Sequence, residues 1–305
     1  MGPVHGQNEP IHKYFTAFGI IRLMRVQEQI NQNKFKTWLI MGIFALIVGV
    51  VVWIFVMALG YRGSGAIGYV GIGLIIAGVM NLVSYFFSDK LVLALTGAKQ
   101  ITRSDAPEVF EIIEHLSRSS KTPMPKVYMV NDPSPNAFAT GRDPSHAVVA
   151  VHTGIIERLD KRELEGVLAH ELSHVRNYDT RVMAIVSMLA GTVALLADFF
   201  MRSLLFGGNR EERDNKAGGI FIVLGIFAAV IAPLAAQLIQ LAVSRRREFL
   251  ADASGAALTH YPEGLASALE KISSYTRPSP TASTATAHLY ISNPLGGGKK
   301  KAGSW

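Results

Sequence analysis

Cysteine is absent from all 305 residues, which excludes disulfides and thiolate metal sites and leaves His, Asp and Glu as the strong metal ligands available. Charge is also scarce. Only 17% of residues are charged and the mean hydropathy is +0.27, a balance unusual for a soluble protein. No cleavage site follows the first apolar run, so the N-terminal region has no signal-peptide layout. The formal charge of +7 and pI near 9.6 do not indicate nucleic acid, because the basic residues flank apolar blocks and are not interleaved with aromatics on one face.

The apolar blocks organise the chain. Residues 1–36 form a basic leader, expected to be peripheral, with Lys13, Arg22, Arg25, Lys34 and Lys36 against two acids, Glu9 and Glu28. Thr37 to Leu59 and Gly63 to Ser88 carry no charge, and each is long enough to cross about 30 Å of hydrocarbon as a helix. These two runs place two spans within residues 37–88. Residues 182–244 hold two more, Val182 to Met201, broken only by Asp198, and the uncharged run from Ala217 to Ser244. Asp198 stands one turn before Arg202, the pattern of an interfacial ion pair.

Between the span pairs, residues 89–181 read as a mixed α and β domain. Pro107 to Ser119 has the pattern of an amphipathic helix, and Lys126 to Val130 and Ala147 to Val151 read as short strands. Asn136, Ala137, Phe138, Ala139 and Thr140 lie between Pro135 and Gly141. They read equally as an exposed edge strand able to pair with an extended peptide and as an ordinary turn and strand.

His170-Glu171-Leu172-Ser173-His174 carries the chemistry. Asp160 and Glu163 resemble a capping box, and Leu164, Val167, Leu168, Leu172 and Val175 recur at helical spacing, so the motif lies on a helix. Positions i and i+4 share a face. His170 and His174 can therefore both offer a ring nitrogen to one Zn²⁺ while Glu171 stands beside the ion as general base. A catalytic site of this kind needs a third ligand. Asn177 and Thr180 occupy the positions where a metzincin would have Gly and His, so Glu248, directly after the fourth span, is the candidate. If residues 182–244 form an antiparallel membrane hairpin, the chain returns at Glu248 beside where it left after His174, close to the membrane surface. His260 and His288 are weaker candidates for that ligand, and the remaining histidines read as surface or core residues. Asp179 and Asp252 read equally as acceptors for the second N–H of a ligand histidine and as solvated or capping carboxylates.

Four spans put the N-terminus, residues 89–181 and residues 245–295 on one side. That side carries Lys34, Lys36, Lys90, Lys99, Arg103, Arg176, Arg181 and Arg245 to Arg247, so the positive-inside rule places the motif in the cytoplasm. The fold class expected is a four-span α-helical membrane protein with a cytoplasmic α+β zincin-like (gluzincin) domain split between 89–181 and 245–295. Residues 296–305 form a Gly/Lys tail.

Several segments together resemble the HtpX-type membrane zinc endopeptidases from about Met24 to Leu295: Gln32-Asn33-Lys34, Pro135 to Gly141, His170-Glu171-x-x-His174-x-x-Asn177-x-Asp179, Glu248-x-x-x-Asp252, and His288 to Ile291 with Asn293-Pro294. The resemblance implies one Zn²⁺ per chain on His170, His174 and Glu248, Glu171 as the catalytic carboxylate, and a prokaryotic inner-membrane protease in the lipid bilayer. It further implies misfolded or damaged membrane proteins as substrates, a start near Met24 and a chain continuing past Leu295. Two rivals from other classes are a proteolytically inactive zinc-stabilised membrane scaffold or chaperone, which would not need Glu171, and a small-solute transporter. The transporter is opposed by the lack of ionisable residues within spans other than Asp198.

Overall fold

The structure, a computed structural model, describes residues 9–58, 63–190, 245–281 and 286–291. Asp198 and most of the second pair of apolar runs lie outside the described residues. The first two apolar runs form α1 (Glu9–Ala58) and α2 (Ser64–Thr96), and the stretches Gln27–Val50 and Ile67–Thr96 are long and apolar enough to cross a membrane. Small residues let the two helices approach, since a Cβ on Gly73 would lie 2.7 Å from the Val52 side chain. Asn81 Nδ2 donates to the Met41 carbonyl at 3.0 Å and ties the pair further. Their outward faces stay apolar: Trp38 is 63% exposed, Leu46 66% and Ile67 74%. In water so wide an apolar surface would need a cover, whereas in hydrocarbon it is solvated. α2 stops where Gly97 adopts φ 66° and Ala98 N–H reaches back to the Leu93 carbonyl, a Schellman-type ending.

α1 runs unbroken from Glu9 into the apolar stretch, so residues 9–36 of the expected basic leader are helical, and Gln29, Asn33 and Thr37 on it are buried.

That domain is built on a four-stranded sheet of order β1-β2-β4-β3, from β1 (Lys99–Gln100), β2 (Lys126–Val130), β3 (Ala137–Thr140) and β4 (Val148–His152). β2 and β4 are parallel, and the outer pairs are antiparallel. α3 (Pro107–Ser120) lays Val109, Ile112, Ile113 and Leu116 into the core, and the short α4 (Thr153–Arg158) follows β4. α5 (Lys161–Arg176) crosses the core with Leu164, Val167, Leu168 and Leu172 buried. Its start is fixed as the sequence predicts: Asp160 accepts from the N–H groups of Arg162 and Glu163 at 2.9 and 3.0 Å, and Glu163 accepts from Asp160 N–H at 2.9 Å.

After a turn at Asn177–Tyr178, helix α6 begins at residue 179 and is described as far as 190. Its Val182, Ile185, Val186 and Leu189 pack against Ile40, Met41 and Phe44 of α1. The chain is described again from α7 (Arg245–Thr259) and α8 (Pro262–Ser273), both packed on α5. Glycines permit that closeness. A Cβ on Gly166 would lie 2.6 Å from Leu265 N, and one on Gly255 would lie 3.1 Å from His170 N.

Candidate active site

α5 presents His170 and His174 on one face, each 5% exposed, with their Nε2 atoms 3.1 Å apart. α7 brings Glu248 to the same point, its Oε2 lying 3.6 Å from His170 Nε2 and 3.7 Å from His174 Nε2. Among the described residues these three form the one group of His and carboxylate side chains able to hold a metal ion. The spacing fits. A tetrahedral ion with bonds of about 2.0–2.1 Å has ligand-to-ligand edges of about 3.3–3.4 Å. Two imidazole nitrogens and one carboxylate oxygen are also the donor set of an open tetrahedral site.

The far side of each ring faces a carboxylate. His174 Nδ1 lies 3.1 Å from Asp179 Oδ2, a hydrogen bond between two buried groups. His170 Nδ1 lies 2.9 Å from Asp252 Oδ1, a close charge contact that falls outside hydrogen-bond geometry. Asp179 in turn receives Asn33 Nδ2 on its Oδ1 at 2.7 Å, with Arg247 Nε 3.8 Å away.

Electrostatics follow from burial and these partners. Burial opposes charge on both rings, but Asp252 and Glu248 raise His170, and Asp179 and Glu248 raise His174 well above the usual imidazole range. Burial would likewise raise Glu248, yet hydrogen bonding from the two rings overrides it and holds the carboxyl far below its ordinary value. Glu171 goes the other way. Burial pushes it up, against the neighbouring rings, which favour its ionised form.

Glu171 points from α5 to the sheet, and its Oε2 accepts the Ala139 N–H at 2.9 Å. β3 is an edge strand by its pairing, and of the two readings of this segment the burial fits the ordinary strand and not the exposed one. Asn136, Ala137, Phe138, Ala139 and Thr140 are all buried. α5 packs over the strand, and Tyr290 sets its ring edge-on to Phe138 at 5.4 Å.

His260 sits at the exposed end of α7 with φ 54°, away from the group, and the side chain of His288 is outside the described residues. His152 is a core residue, buried with Ser134 Oγ 3.2 Å from Nδ1 and Tyr290 edge-on at 5.4 Å. Sequence reasoning missed the tie of Asn33 to the site and the burial of Arg247, whose Nη atoms have no hydrogen-bond partner among the described residues. A signal for Asn33 existed: Gln29, Asn33 and Thr37 recur every four residues, a polar stripe leading into an apolar helix.

The model of a family described as Peptidase family M48 matches residues 103–295. The chain belongs to peptidase family M48. Within M48 it is similar to proteins named Protease HtpX homolog. The one from Tropheryma whipplei (strain Twist) is 46% identical over 271 residues, covering 87% of this chain and 88% of that one. The one from Ligilactobacillus salivarius (strain UCC118) is 43% identical over 285 residues, covering 91% and 92%. Among solved structures, the crystal structure of S. mikatae Ste24p matches with a TM-score of 0.46 and 21% identity, over 78% of this chain and 58% of that one. This M48 protein is therefore a membrane metalloprotease of the HtpX type, and two of its described helices are long and apolar enough to cross a membrane. The M48 match begins at Arg103 and leaves α1 and α2 outside it.

Proposed function

We propose that this M48 member is a zinc-dependent endopeptidase of the prokaryotic cytoplasmic membrane, with four spans and a gluzincin-like domain in the cytoplasm, which cuts misfolded or damaged membrane proteins. The observation that carries the reading is the set of three donor atoms on His170, His174 and Glu248, 3.1 to 3.7 Å apart, with Glu171 adjoining and outside the set.

In this reading His170, His174 and Glu248 hold one Zn²⁺, and Asp179 and Asp252 orient the two rings. When bound, the ion supplies Lewis acidity, acidifying water and polarising the scissile carbonyl. Glu171 does the proton work. Its buried carboxyl, with its pKa pushed up by burial, is suited to take a proton from the attacking water as the C–O bond forms. It then gives that proton to the amide nitrogen as the C–N bond breaks. Glu171 Oε2 also holds the Ala139 N–H, so a turn of the carboxylate away from β3 would free a main-chain donor on that edge strand for an extended substrate. The apolar flanks of α1 and α2 favour membrane proteins as substrates, since they keep the chain where such proteins unfold.

The test is cleavage of an unfolded membrane protein by the detergent-solubilised, zinc-loaded chain beside Glu171→Gln. We expect cleavage by the first, and a rate lower by at least about 100-fold in the variant although it holds the same zinc. Equal rates would refute the mechanism. Absence of cleavage with zinc bound in both would favour a scaffold.

A further inference from the structure

The metal group lies within the M48 match, on α5 and α7, but the hydrogen bonds behind it do not stop there. Asn33, on α1, is fully buried, and its amide gives one hydrogen to Asp179 Oδ1 at 2.7 Å and the other to the Asn177 carbonyl at 2.8 Å. Both acceptors lack a proton to give, so the NH₂ group must face them and the amide has a single orientation. Its oxygen is engaged as well, accepting from Gln29 Nε2 one turn earlier at 3.2 Å. Asp179 is left with one oxygen for Asn33 and the other for His174 Nδ1, 3.1 Å away.

We propose that Asn33 is a positioning residue of the metal centre, fixing the Asp179 carboxylate that orients His174, so that a membrane helix completes a site otherwise built from the protease domain. The proposal rests on the zinc reading above. A ring that donates through Nδ1 keeps the lone pair of Nε2 for the side where His170 and Glu248 stand. Asn33 acts at one remove by preventing the carboxylate from turning. Without it, the nearest Lys or Arg group among the described residues is Arg247, whose Nε at 3.8 Å is beyond hydrogen-bond reach. Any movement of α1 relative to α5 is thereby transmitted to a ring of the metal group.

The experiment is a double-mutant cycle on zinc affinity, read by competition with a chromophoric chelator in the full-length detergent-solubilised chain. Asn33→Ala is expected to weaken binding about 10- to 100-fold, the usual cost of losing an outer partner of a metal ligand. Asn33→Ser, which keeps a small donor and less disturbs the helix contact, is expected to lose less. In an Asp179→Ala background, Asn33→Ala should cost nothing further, because its route to His174 is gone. Asn81→Ala removes a comparable side-chain bond to α1 remote from the site, and should leave zinc affinity unchanged. Zinc binding by Asn33→Ala as tight as by the native chain would overturn the proposal. So would full multiplication of the two losses in the double variant, or an equal loss in Asn81→Ala. A native chain that binds no zinc would refute the zinc reading itself, whereas tight native binding with no response at residue 33 would refute only the role of Asn33.

Discussion

At the scale of single residues, two buried histidine environments have opposite consequences. His174 gains carboxylates and is pushed up, whereas His152 gains mainly burial and is held down to about 4 from 6.5. A histidine with a depressed folded pKa stays neutral in the native state while the unfolded chain takes up the proton. Stability is therefore whole above 6.5 and declines as pH falls from 6.5 to about 4. At about 1.4 kcal/mol per pH unit the loss amounts to about 3 kcal/mol. His152→Gln carries no proton, so the difference between native and variant chemical-denaturation free energies should shrink by about that amount between pH 7 and pH 4. A pH-independent difference would show that His152 does not titrate on unfolding. Asp252 is a second residue-scale case. Its carboxylate lies 2.9 Å from His170 Nδ1, so Asp252→Asn should weaken zinc binding about 10-fold or more in the same chelator competition.

Among elements, the site depends on how closely α7 and α8 approach α5. Gly166 and Gly255 matter here through lack of bulk, and at Gly166 the neighbour is backbone, which cannot rotate away. Gly166→Ala would put a methyl carbon 2.6 Å from Leu265 N and force α8 outward. A cost of about 1–3 kcal/mol is expected, read as a lower midpoint in thermal unfolding. An unchanged midpoint would mean that α8 shifts freely. The same crossing determines the metal group, because Glu248 and Asp252 meet His170 and His174 only where α7 lies against α5. β3 is the converse case, an edge strand whose outer side is already occupied by Glu171 and α5.

The whole molecule is a membrane-anchored enzyme whose anchor reaches into its centre. α6 leaves the turn beside His174 and packs at once against α1, so the protease domain sits close to the helix pair. The proposed cytoplasmic placement can be tested directly because the chain has no cysteine. Ser119→Cys, at the exposed end of α3, provides a single thiol on the domain surface. A membrane-impermeant maleimide should label it in inverted vesicles and leave it unlabelled in intact spheroplasts. Labelling of spheroplasts would reverse the orientation.

Much of this was legible without coordinates, for reasons of period and spacing. The helical repeat through Leu164, Val167, Leu168 and Leu172 with the Asp160 and Glu163 cap determined α5, and i,i+4 geometry alone put His170 and His174 on one face. Charge-free runs determined α1 and α2, because chain length against hydrocarbon thickness is a one-dimensional test. Glu248 was picked out from connectivity, on an expected hairpin whose residues 191–244 lie outside the described ones. What only tertiary structure decided lies across helix crossings. The sequence does not state that Asn33 meets Asp179 across 146 residues, since no local period links them. Nor does it state that β3 is covered, because an edge strand has the same pattern whether solvent or a helix lies beyond it. Local interactions repeat with the backbone and leave a trace in the sequence. Contacts between elements depend on where each helix comes to rest, and that is decided when the glycines at 166 and 255 let the helices close around the site.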